Sequence, residues 1–326
     1  MNTLILSILI AFAVAILIGK LMIPFLRRLK FGQHERTDGP KSHLVKEGTP
    51  TMGGIFIVLG VAAAMLVFFG EISVYGWVAL LGALAYCLIG FIDDLIIVLK
   101  KRNLGLRPKQ KLVAQFIFAV LIAVWAYNDP QIGSRLYIPF ADTYWDLGIF
   151  YIPFTIFVIM AVTNCVNLTD GLDGLAGGVT LVNMGTYTIL FFAMGAAYLW
   201  AKDLMIFSAA MTGGILGFLR YNSYPAKVFM GDTGAFFLGG GIAMIAIISR
   251  LQLLIPIMGL MYVLSGLSCV LQVASYKLRN KKRIFKMAPL HHHFELSGVH
   301  ETKIVSTYMI VTLVLCLLTL LMFHFG

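Results

Sequence analysis

The chain has 326 residues, of which 60% are hydrophobic and 12% charged, with a net charge of +10 and a mean hydropathy of +0.89. This composition excludes an ordinary soluble domain and indicates a polytopic membrane protein. The basic residues lie between apolar runs, as in the cytoplasmic loops of membrane proteins, so we predict no nucleic-acid partner. The four cysteines form no CxxC pair, and we assign them no disulfide, metal or catalytic role.

The apolar runs predict an all-α protein with about ten transmembrane helices, because a helix needs about 20 apolar residues to cross a bilayer. The first run has no basic segment before it and is followed by Arg27, Arg28 and Lys30. We therefore interpret it as a retained helix and not as a signal peptide. The predicted spans are 3–26, 52–69, 76–98, 110–127, 147–164, 175–195, 204–220, 234–249, 252–276 and 304–324.

Lysine and arginine are distributed unevenly between the two sides of this arrangement. The side opposite the main group has only Arg135, Lys202 and Arg250. By the positive-inside rule, the basic side is cytoplasmic and both termini are extracytoplasmic. External segment 128–147 is expected to form a short hairpin at the membrane interface. The predicted cytoplasmic segments are 27–51, 99–109, 165–174, 220–233 and 277–303.

Two adjacent carboxylates, Asp93 and Asp94, end the third predicted span in the stretch GFIDDLI. Ionised carboxylates are costly within a bilayer, and negative charge is disfavoured at the C-terminal end of a helix unless a cation is near. A divalent metal would supply that cation. Neighbouring residues on a helix project about 100° apart, so we expect the two acids to have different roles. The alternative is that they only end a helix at the headgroup level.

Asp232, in the stretch MGDTG, is predicted to lie on the same membrane face. Hard carboxylate oxygens suit Mg²⁺, which typically uses one or two carboxylates together with substrate phosphates. An ordinary helix N-cap is the alternative interpretation of Asp232. The sequence therefore predicts a Mg²⁺ site for which the candidate ligands are Asp232, Asp93 and Asp94.

The stretch NCVNLTDGLDGLAGG fills the third cytoplasmic segment and is dense in polar side chains. Its spacing is not that of an EF-hand loop, and its glycines would let the backbone approach a ligand closely. A turn with helix caps is the alternative. We expect four of its side chains to line a substrate pocket, namely Asn164, Asn167, Asp170 and Asp173.

Three consecutive histidines, His291, His292 and His293, lie in the last cytoplasmic segment near Lys286. Zinc sites usually space their ligands, so we expect these histidines to donate hydrogen bonds to phosphate oxygens. Simple loop histidines are the alternative. Cytoplasmic lysines such as Lys46 and Lys109 fit the positive-inside rule, and some of them can also hold phosphates.

Four stretches, FIDDL, NLTDGLDGLAGG, NSYPAKVFMGDTGAFFLGG and APLHHHFE, resemble the motifs of the phospho-N-acetylmuramoyl-pentapeptide transferase family. This family belongs to the polyprenyl-phosphate N-acetylhexosamine-1-phosphate transferase superfamily, and the resemblance covers nearly the whole chain. It implies a multi-pass enzyme of the bacterial cytoplasmic membrane, with 1–326 as one transmembrane catalytic domain and its active site on the cytoplasmic face. The implied reaction is the Mg²⁺-dependent transfer of phospho-MurNAc-pentapeptide from UDP-MurNAc-pentapeptide to undecaprenyl phosphate, giving lipid I and UMP. The implied assembly is a homodimer in membrane lipid.

The resemblance also implies residue roles. Asp232 would be the principal metal ligand and Asp93 the general base for the lipid phosphate, with Asp94 in the metal or phosphate network. His291 and His292 would support the diphosphate. A lysine that the family usually has after the acids is replaced here by Ile97, so its role is not transferred. The expected substrate-binding residues are Lys46, Thr51, Lys109, Asn164, Asn167, Asp170, Gly171, Leu172, Asp173, Asn222, Phe229 and His293, with Phe229 stacked on uracil.

Two other functions remain open from the sequence. The first is the same chemistry on UDP-GlcNAc, which an assay of both UDP-sugars would separate. The second is a secondary transporter of anionic solutes, which predicts acids near mid-span in paired inverted repeats. Here the acids gather at one predicted face and no repeat is evident.

Overall fold

A computed structural model describes residues 1–28, 48–100 and 105–323. The described chain is almost entirely helical, with one small antiparallel sheet. The first half has α1 (Asn2–Arg28), α2 (Gly54–Val67), α3 (Val74–Lys100), α4 (Pro108–Asn128), β1 (Arg135–Ile138), β2 (Thr143–Asp146) and α5 (Tyr151–Thr169). The second half has α6 (Leu175–Met194), α7 (Ala201–Asn222), α8 (Gly231–Ile248), α9 (Ile255–Met258), α10 (Leu260–Leu278), α11 (Leu290–Glu295) and α12 (Glu301–Leu321). Short 3₁₀ segments occupy 69–71, 148–150, 195–197 and 252–254.

Burial separates the helices into an inner and an outer group. Helices α6, α7 and α8 are mostly buried, whereas α1, α4 and α12 are mostly exposed along their apolar faces. Eight helices in the described ranges are long and apolar enough to cross a membrane, and α9 with α10 would make a ninth. Apolar helices that expose apolar side chains suit lipid and not water. The protein is therefore a polytopic membrane protein.

The predicted span 252–276 is broken in the structure. The short helix α9 and the longer α10 meet at Gly259 and are bent by 83°. The Gly259 N–H donates to the carbonyl of Ile255 (2.8 Å), which is the last hydrogen bond of α9. The φ and ψ angles of Gly259, −95° and 24°, then redirect the chain. The hydropathy of this run does not reveal the break, because both parts are apolar.

Helices α3 and α8 form the most extensive helix–helix contact in the described chain. Gly90 makes this approach possible, since a Cβ at that position would collide with the carbonyl of Asp232. Close packing through small residues is common between membrane helices. It brings the end of α3, which carries Asp93 and Asp94, against the first turn of α8, which carries Asp232.

The expected hairpin in segment 128–147 is confirmed. β1 and β2 pair antiparallel, with Arg135 opposite Asp146 and Ile138 opposite Thr143. The Tyr137 N–H also donates to the carbonyl of Arg250 (3.0 Å), so the hairpin is fastened to the turn after α8. All four cysteines are free.

Candidate active site

The Asp94 carboxylate ties the end of α3 to the start of α8. One oxygen accepts the backbone N–H of Asp232 (3.1 Å), and the other accepts the backbone N–H and the hydroxyl of Thr233 (2.9 and 2.6 Å). The first N–H groups of a helix lack partners within it, so a carboxylate there caps the helix and complements its positive end. Asp94 therefore fixes the turn of α8 that carries Asp232.

Asp93 projects in a different direction from Asp94, as expected for neighbours on a helix. Its Oδ1 accepts the backbone N–H of Leu106 (2.7 Å), and its Oδ2 lies 3.1 Å from the Lys111 ammonium nitrogen. Only 4% of Asp93 is exposed. The side chain is thus held between the 105–106 segment and α4, with one oxygen directed at a cation.

Lys111 joins Asp93 to Asp232, because its Nζ also lies 2.5 Å from Asp232 Oδ2. The other oxygen of Asp232 accepts a hydrogen bond from the Asn167 side-chain amide (2.7 Å). These four residues, Asp93, Lys111, Asn167 and Asp232, come from α3, α4, α5 and α8, and we call them the carboxylate cluster. Four helices therefore converge on one polar centre.

Lys111 lies at this centre but was not among the residues predicted for the site. The prediction named Lys109, two residues earlier. Lys109 is exposed in the first turn of α4, and Lys111 faces the two acids. Residues two apart on a helix point about 200° apart, so only one of the two lysines can face α3. The sequence does not tell which face this is, because both lysines lie at the start of α4 with the polar Gln110 between them.

The carboxylate cluster fits a divalent metal held by two carboxylates. Asp93 and Asp232 converge on one cation, the Lys111 ammonium, and the Asp94 oxygens are occupied by hydrogen bonds to α8. Within the described ranges, no three His, Cys, Asp or Glu side chains are grouped to hold a metal ion. A donor set of two carboxylates, completed by phosphate oxygens and water, is the usual arrangement for Mg²⁺.

The two asparagines at the end of α5 have different environments. Asn167 contacts Asp232, as described above, whereas the Asn164 amide donates to Gln115 Oε1 (2.6 Å) and to the carbonyl of Met160 (2.8 Å). Gln115 lies on α4 and is fully buried. Asn164, which was predicted to line the substrate pocket, joins α5 to α4 through Gln115.

The loop 170–174 is fixed by side chains on both sides. The Asp173 N–H donates to Glu301 Oε1 (2.6 Å), and the Asp173 carboxylate accepts the N–H of Ala226 (2.8 Å). The Asn222 side chain accepts the N–H of Gly174 (3.0 Å) and donates to the carbonyl of Val228 (3.0 Å). Asp173 and Asn222, both buried, thus hold this loop against the segment 223–230. Leu172 is also buried in this loop.

Asp170 begins the same loop, next to the carboxylate cluster. Burial raises the pKa of the Asp170 carboxyl to about 8, and the negative charges of Asp232, Asp94 and Asp173 act in the same direction. A carboxyl with this pKa is largely protonated at neutral pH unless a cation stabilises its charged form. The region around Asp232 is therefore one where added positive charge is favourable.

His291 and His292 lie on α11 beside the loop 170–174. Their ring centroids are 4.3 Å apart, and a Cβ at Gly171 would collide with Nε2 of His291 and lie 3.0 Å from Nε2 of His292. The His292 Nδ1 lies 3.2 Å from Glu295 Oε2, which orients that ring. The glycine at 171 thus lets the loop approach both imidazoles, and this leaves their ring nitrogens close to its backbone.

His293 faces away from this pair. Its Nδ1 accepts the backbone N–H of Lys286 (3.2 Å), and its ring packs against Phe285. The structure therefore brings His291 and His292 together at the loop 170–174 and places His293 against the segment that precedes α11.

The remaining predicted residues lie at the start of α2 and α8. Phe229 is half-buried, and its backbone pairs with Pro50 and Gly53 (2.8 Å each). Thr51 is buried with its hydroxyl close to Gly231 and Asp94. Lys46 lies outside the described residues. The segment 50–53 is thus packed against the turn that carries Asp232.

An apolar helical bundle with acids, a lysine and histidines gathered at helix ends is the arrangement expected of a membrane transferase that handles phosphate groups. Comparison with known proteins agrees. Residues 76–250 match the family described as glycosyl transferase family 4, and residues 46–58 match phospho-N-acetylmuramoyl-pentapeptide-transferase signature 1.

Three curated relatives carry the name phospho-N-acetylmuramoyl-pentapeptide-transferase. The relative from Clostridium kluyveri is 50% identical over 97% of this chain and 98% of its own length. The relative from Caldanaerobacter subterraneus is 50% identical over 94% of both chains. The relative from Clostridium novyi is 46% identical over 98% of this chain and 96% of its own. The chain belongs to the phospho-N-acetylmuramoyl-pentapeptide-transferase family.

Proposed function

We propose that this membrane enzyme transfers phospho-MurNAc-pentapeptide from UDP-MurNAc-pentapeptide to undecaprenyl phosphate, forming lipid I and UMP in peptidoglycan synthesis. Family membership supports the reaction. The carboxylate cluster is the observation from which we propose where in the chain the reaction takes place. Lys111 Nζ lies 3.1 Å from Asp93 Oδ2 and 2.5 Å from Asp232 Oδ2, so one ammonium joins the two acids. Charge neutralisation and in-line positioning are what phosphoryl transfer mainly requires of a protein.

Asp93 and Asp232 would hold a Mg²⁺ ion, with Asn167 orienting Asp232. When bound, this ion would neutralise charge on the transferred diphosphate. Lys111 supplies a second positive charge at the same centre. Asp94 acts through Asp232, since its hydrogen bonds to α8 set the position of that carboxylate.

Transfer proceeds in one step in this proposal. An oxygen of the lipid phosphate forms a bond to the phosphorus that carries the sugar, and the bond from that phosphorus to the UMP oxygen breaks, so UMP leaves with the electron pair. A phosphate monoester is already largely ionised at neutral pH. Asp93 therefore orients the lipid phosphate, and removes a proton only from the monoanionic fraction.

The loop 170–174 and the segment 223–230 form the nucleoside side of the site. Phe229 is half-buried and available for stacking on uracil, and Asp173 and Asn222 keep the two segments together. His291 and His292 donate hydrogen bonds to the diphosphate from the other side of Gly171. In this proposal Thr51 and the exposed Lys109 keep their predicted substrate-binding roles, and so does Lys46, which lies outside the described residues.

The same proposal includes ten membrane spans, both termini outside, and a site on the cytoplasmic face of the bacterial plasma membrane. The shorter helix α2 and the bent pair of α9 and α10 would complete the eight long helices to ten. The chain would act as a single catalytic domain and assemble as a homodimer in the membrane.

The test is UMP release in detergent or nanodiscs with undecaprenyl phosphate and Mg²⁺, using UDP-MurNAc-pentapeptide and UDP-GlcNAc separately. We expect release only with the muramoyl donor, and its loss in the Asp232→Asn protein. The Asp146→Asn protein, changed in the exposed hairpin, is the matched control and should stay active. UMP release with UDP-GlcNAc, and none with UDP-MurNAc-pentapeptide, would contradict the proposed donor.

A further inference from the structure

A cavity of 490 Å³ lies between the last turns of α10 and the segment that leads into α11. Its walls are both apolar and basic. We call it the basic groove, and the residues that define it are Val273, Tyr276, Lys277, Arg283, Lys286 and Leu296. The volume is within the range of about 300 to 1,000 Å³ that is usual for small-molecule sites.

The groove has a fixed frame. The Gln272 side chain accepts the N–H groups of Ile284 and Phe285 (3.0 Å each) and donates to the carbonyl of Phe285 (2.9 Å). The Ser275 hydroxyl donates to the carbonyl of Lys282 (2.9 Å). Two polar side chains of α10 therefore hold the facing segment in place, so the groove does not depend on a ligand to form.

The basic side chains of the groove are available to an anion. Lys277, Arg283 and Lys286 form no ion pair within the part of the chain that is described. The Lys286 ammonium donates to a backbone carbonyl, that of Leu296 (3.1 Å). Three cations that pair with no acid in the described ranges, beside an apolar wall, favour a ligand that is anionic and partly apolar.

The position of the groove relates it to the donor substrate. Helix α11 carries His291 and His292, which contact the loop 170–174, and also His293, which contacts Lys286 of the groove. A donor whose diphosphate lies at the histidine pair would therefore extend past α11 toward the groove. The part of the donor beyond the sugar is the pentapeptide, which is joined through its amino end and terminates in a free carboxylate.

We propose that the basic groove binds the peptide stem of the donor, with Arg283, Lys286 and Lys277 pairing with its carboxylates and Tyr276 and Val273 packing against its apolar parts. This assignment rests on the proposed function, since it names where one part of that substrate binds. A lipid headgroup phosphate is the competing anion, and the experiment separates the two.

The test compares the double variant Arg283→Gln/Lys286→Gln with a matched control, Arg27→Gln/Arg28→Gln, which removes two exposed charges from the end of α1. UMP release gives KM and kcat for UDP-MurNAc-pentapeptide, and competition gives the inhibition constant of UDP-MurNAc without peptide. We expect the groove variant to raise KM about tenfold, as the loss of two partly exposed charge pairs would. Its kcat and the inhibition constant of the peptide-free nucleotide should change less than about twofold.

If the groove variant bound UDP-MurNAc-pentapeptide and the peptide-free nucleotide more weakly by the same factor, the assignment would be overturned. A loss of rate that is restored by changing the anionic phospholipid content of the nanodiscs would also overturn it, because that result identifies a lipid site. If the variant has no turnover, calorimetric binding of the two nucleotides to the folded protein makes the same comparison. Failure of the unmodified protein to release UMP from any donor would instead reject the proposed function.

Discussion

The Lys111 ammonium and the Asp232 carboxylate are 121 residues apart in the chain, and they lie 2.5 Å apart in the fold. The same ammonium lies 3.1 Å from Asp93. Two acids and one lysine at the ends of three apolar helices would be costly in lipid unless they were paired. The paired residues form the centre of the proposed active site, and single substitutions there test the proposed chemistry.

The first prediction concerns the two lysines of α4. Replacing Lys111 with Gln removes a positive charge beside both Asp93 and Asp232, which the proposal places in catalysis, so kcat should fall about 100-fold or more. Replacing Lys109 with Gln removes the same charge from the exposed face of the helix and should change kcat less than about twofold. Initial rates of UMP release measure both variants, and equal rates for the two would remove Lys111 from the site.

The second prediction separates the adjacent acids by stability. The Asp94→Asn change disrupts the buried cap of α8, and the free energy of unfolding should fall by about 1 to 3 kcal/mol. In the Asp93→Asn protein the amide oxygen can still accept the Leu106 N–H, so thermal stability should change little while UMP release is lost. Thermal unfolding in detergent is the measurement. A larger loss of stability in the Asp93 variant would reverse the two roles.

The third prediction tests the close approach of α3 and α8. A methyl group at Gly90 would collide with backbone at Asp232, so Gly90→Ala should destabilise the protein by about 1 to 3 kcal/mol and lower kcat by displacing Asp232. Gly185 lies within α6 with open space around it. Gly185→Ala should therefore be neutral, or stabilising by up to about 1 kcal/mol. Matching effects at the two sites would show that the contact is unimportant.

The fourth prediction concerns the asparagines of α5. Asn167→Ala removes the partner of Asp232 Oδ1 and should lower kcat more than it lowers the melting temperature. Asn164→Ala leaves the buried Gln115 amide without its partner and should cost about 1 to 3 kcal/mol of stability. A joint measurement of melting temperature and kcat checks both. Loss of activity in the Asn164→Ala protein with unchanged stability would instead support the predicted role of Asn164 in the substrate pocket.

Local rules predicted much of this arrangement. The apolar runs located the long helices, and helix rotation alone predicted that Asp93 and Asp94 would project differently. The hairpin within 128–147 followed from the Pro, Gly and aromatic content of that segment. In each case the controlling interactions are within a few residues of each other, or depend only on the contrast between lipid and water.

Other features depend on contacts between distant segments. The choice of Lys111 over Lys109 is made by which face of α4 meets α3. The position of Asn164 depends on Gln115, 49 residues earlier. His293 differs from its two neighbours because Lys286 and Phe285 lie beside it. No residue pattern within these segments carries that information, so the sequence could name the candidate residues without assigning the direction of each side chain.

The Mg²⁺ dependence of UMP release shows whether Asp93 and Asp232 together hold the metal. Chelation should stop release in the unmodified protein, and added Mg²⁺ should restore it. The Mg²⁺ concentration for half-maximal release should rise about tenfold or more in the Asp93→Asn and Asp232→Asn proteins, or release should be lost in both. A near-normal rate with an unchanged Mg²⁺ midpoint in the Asp232→Asn protein would show that Asp232 is not a ligand of the metal.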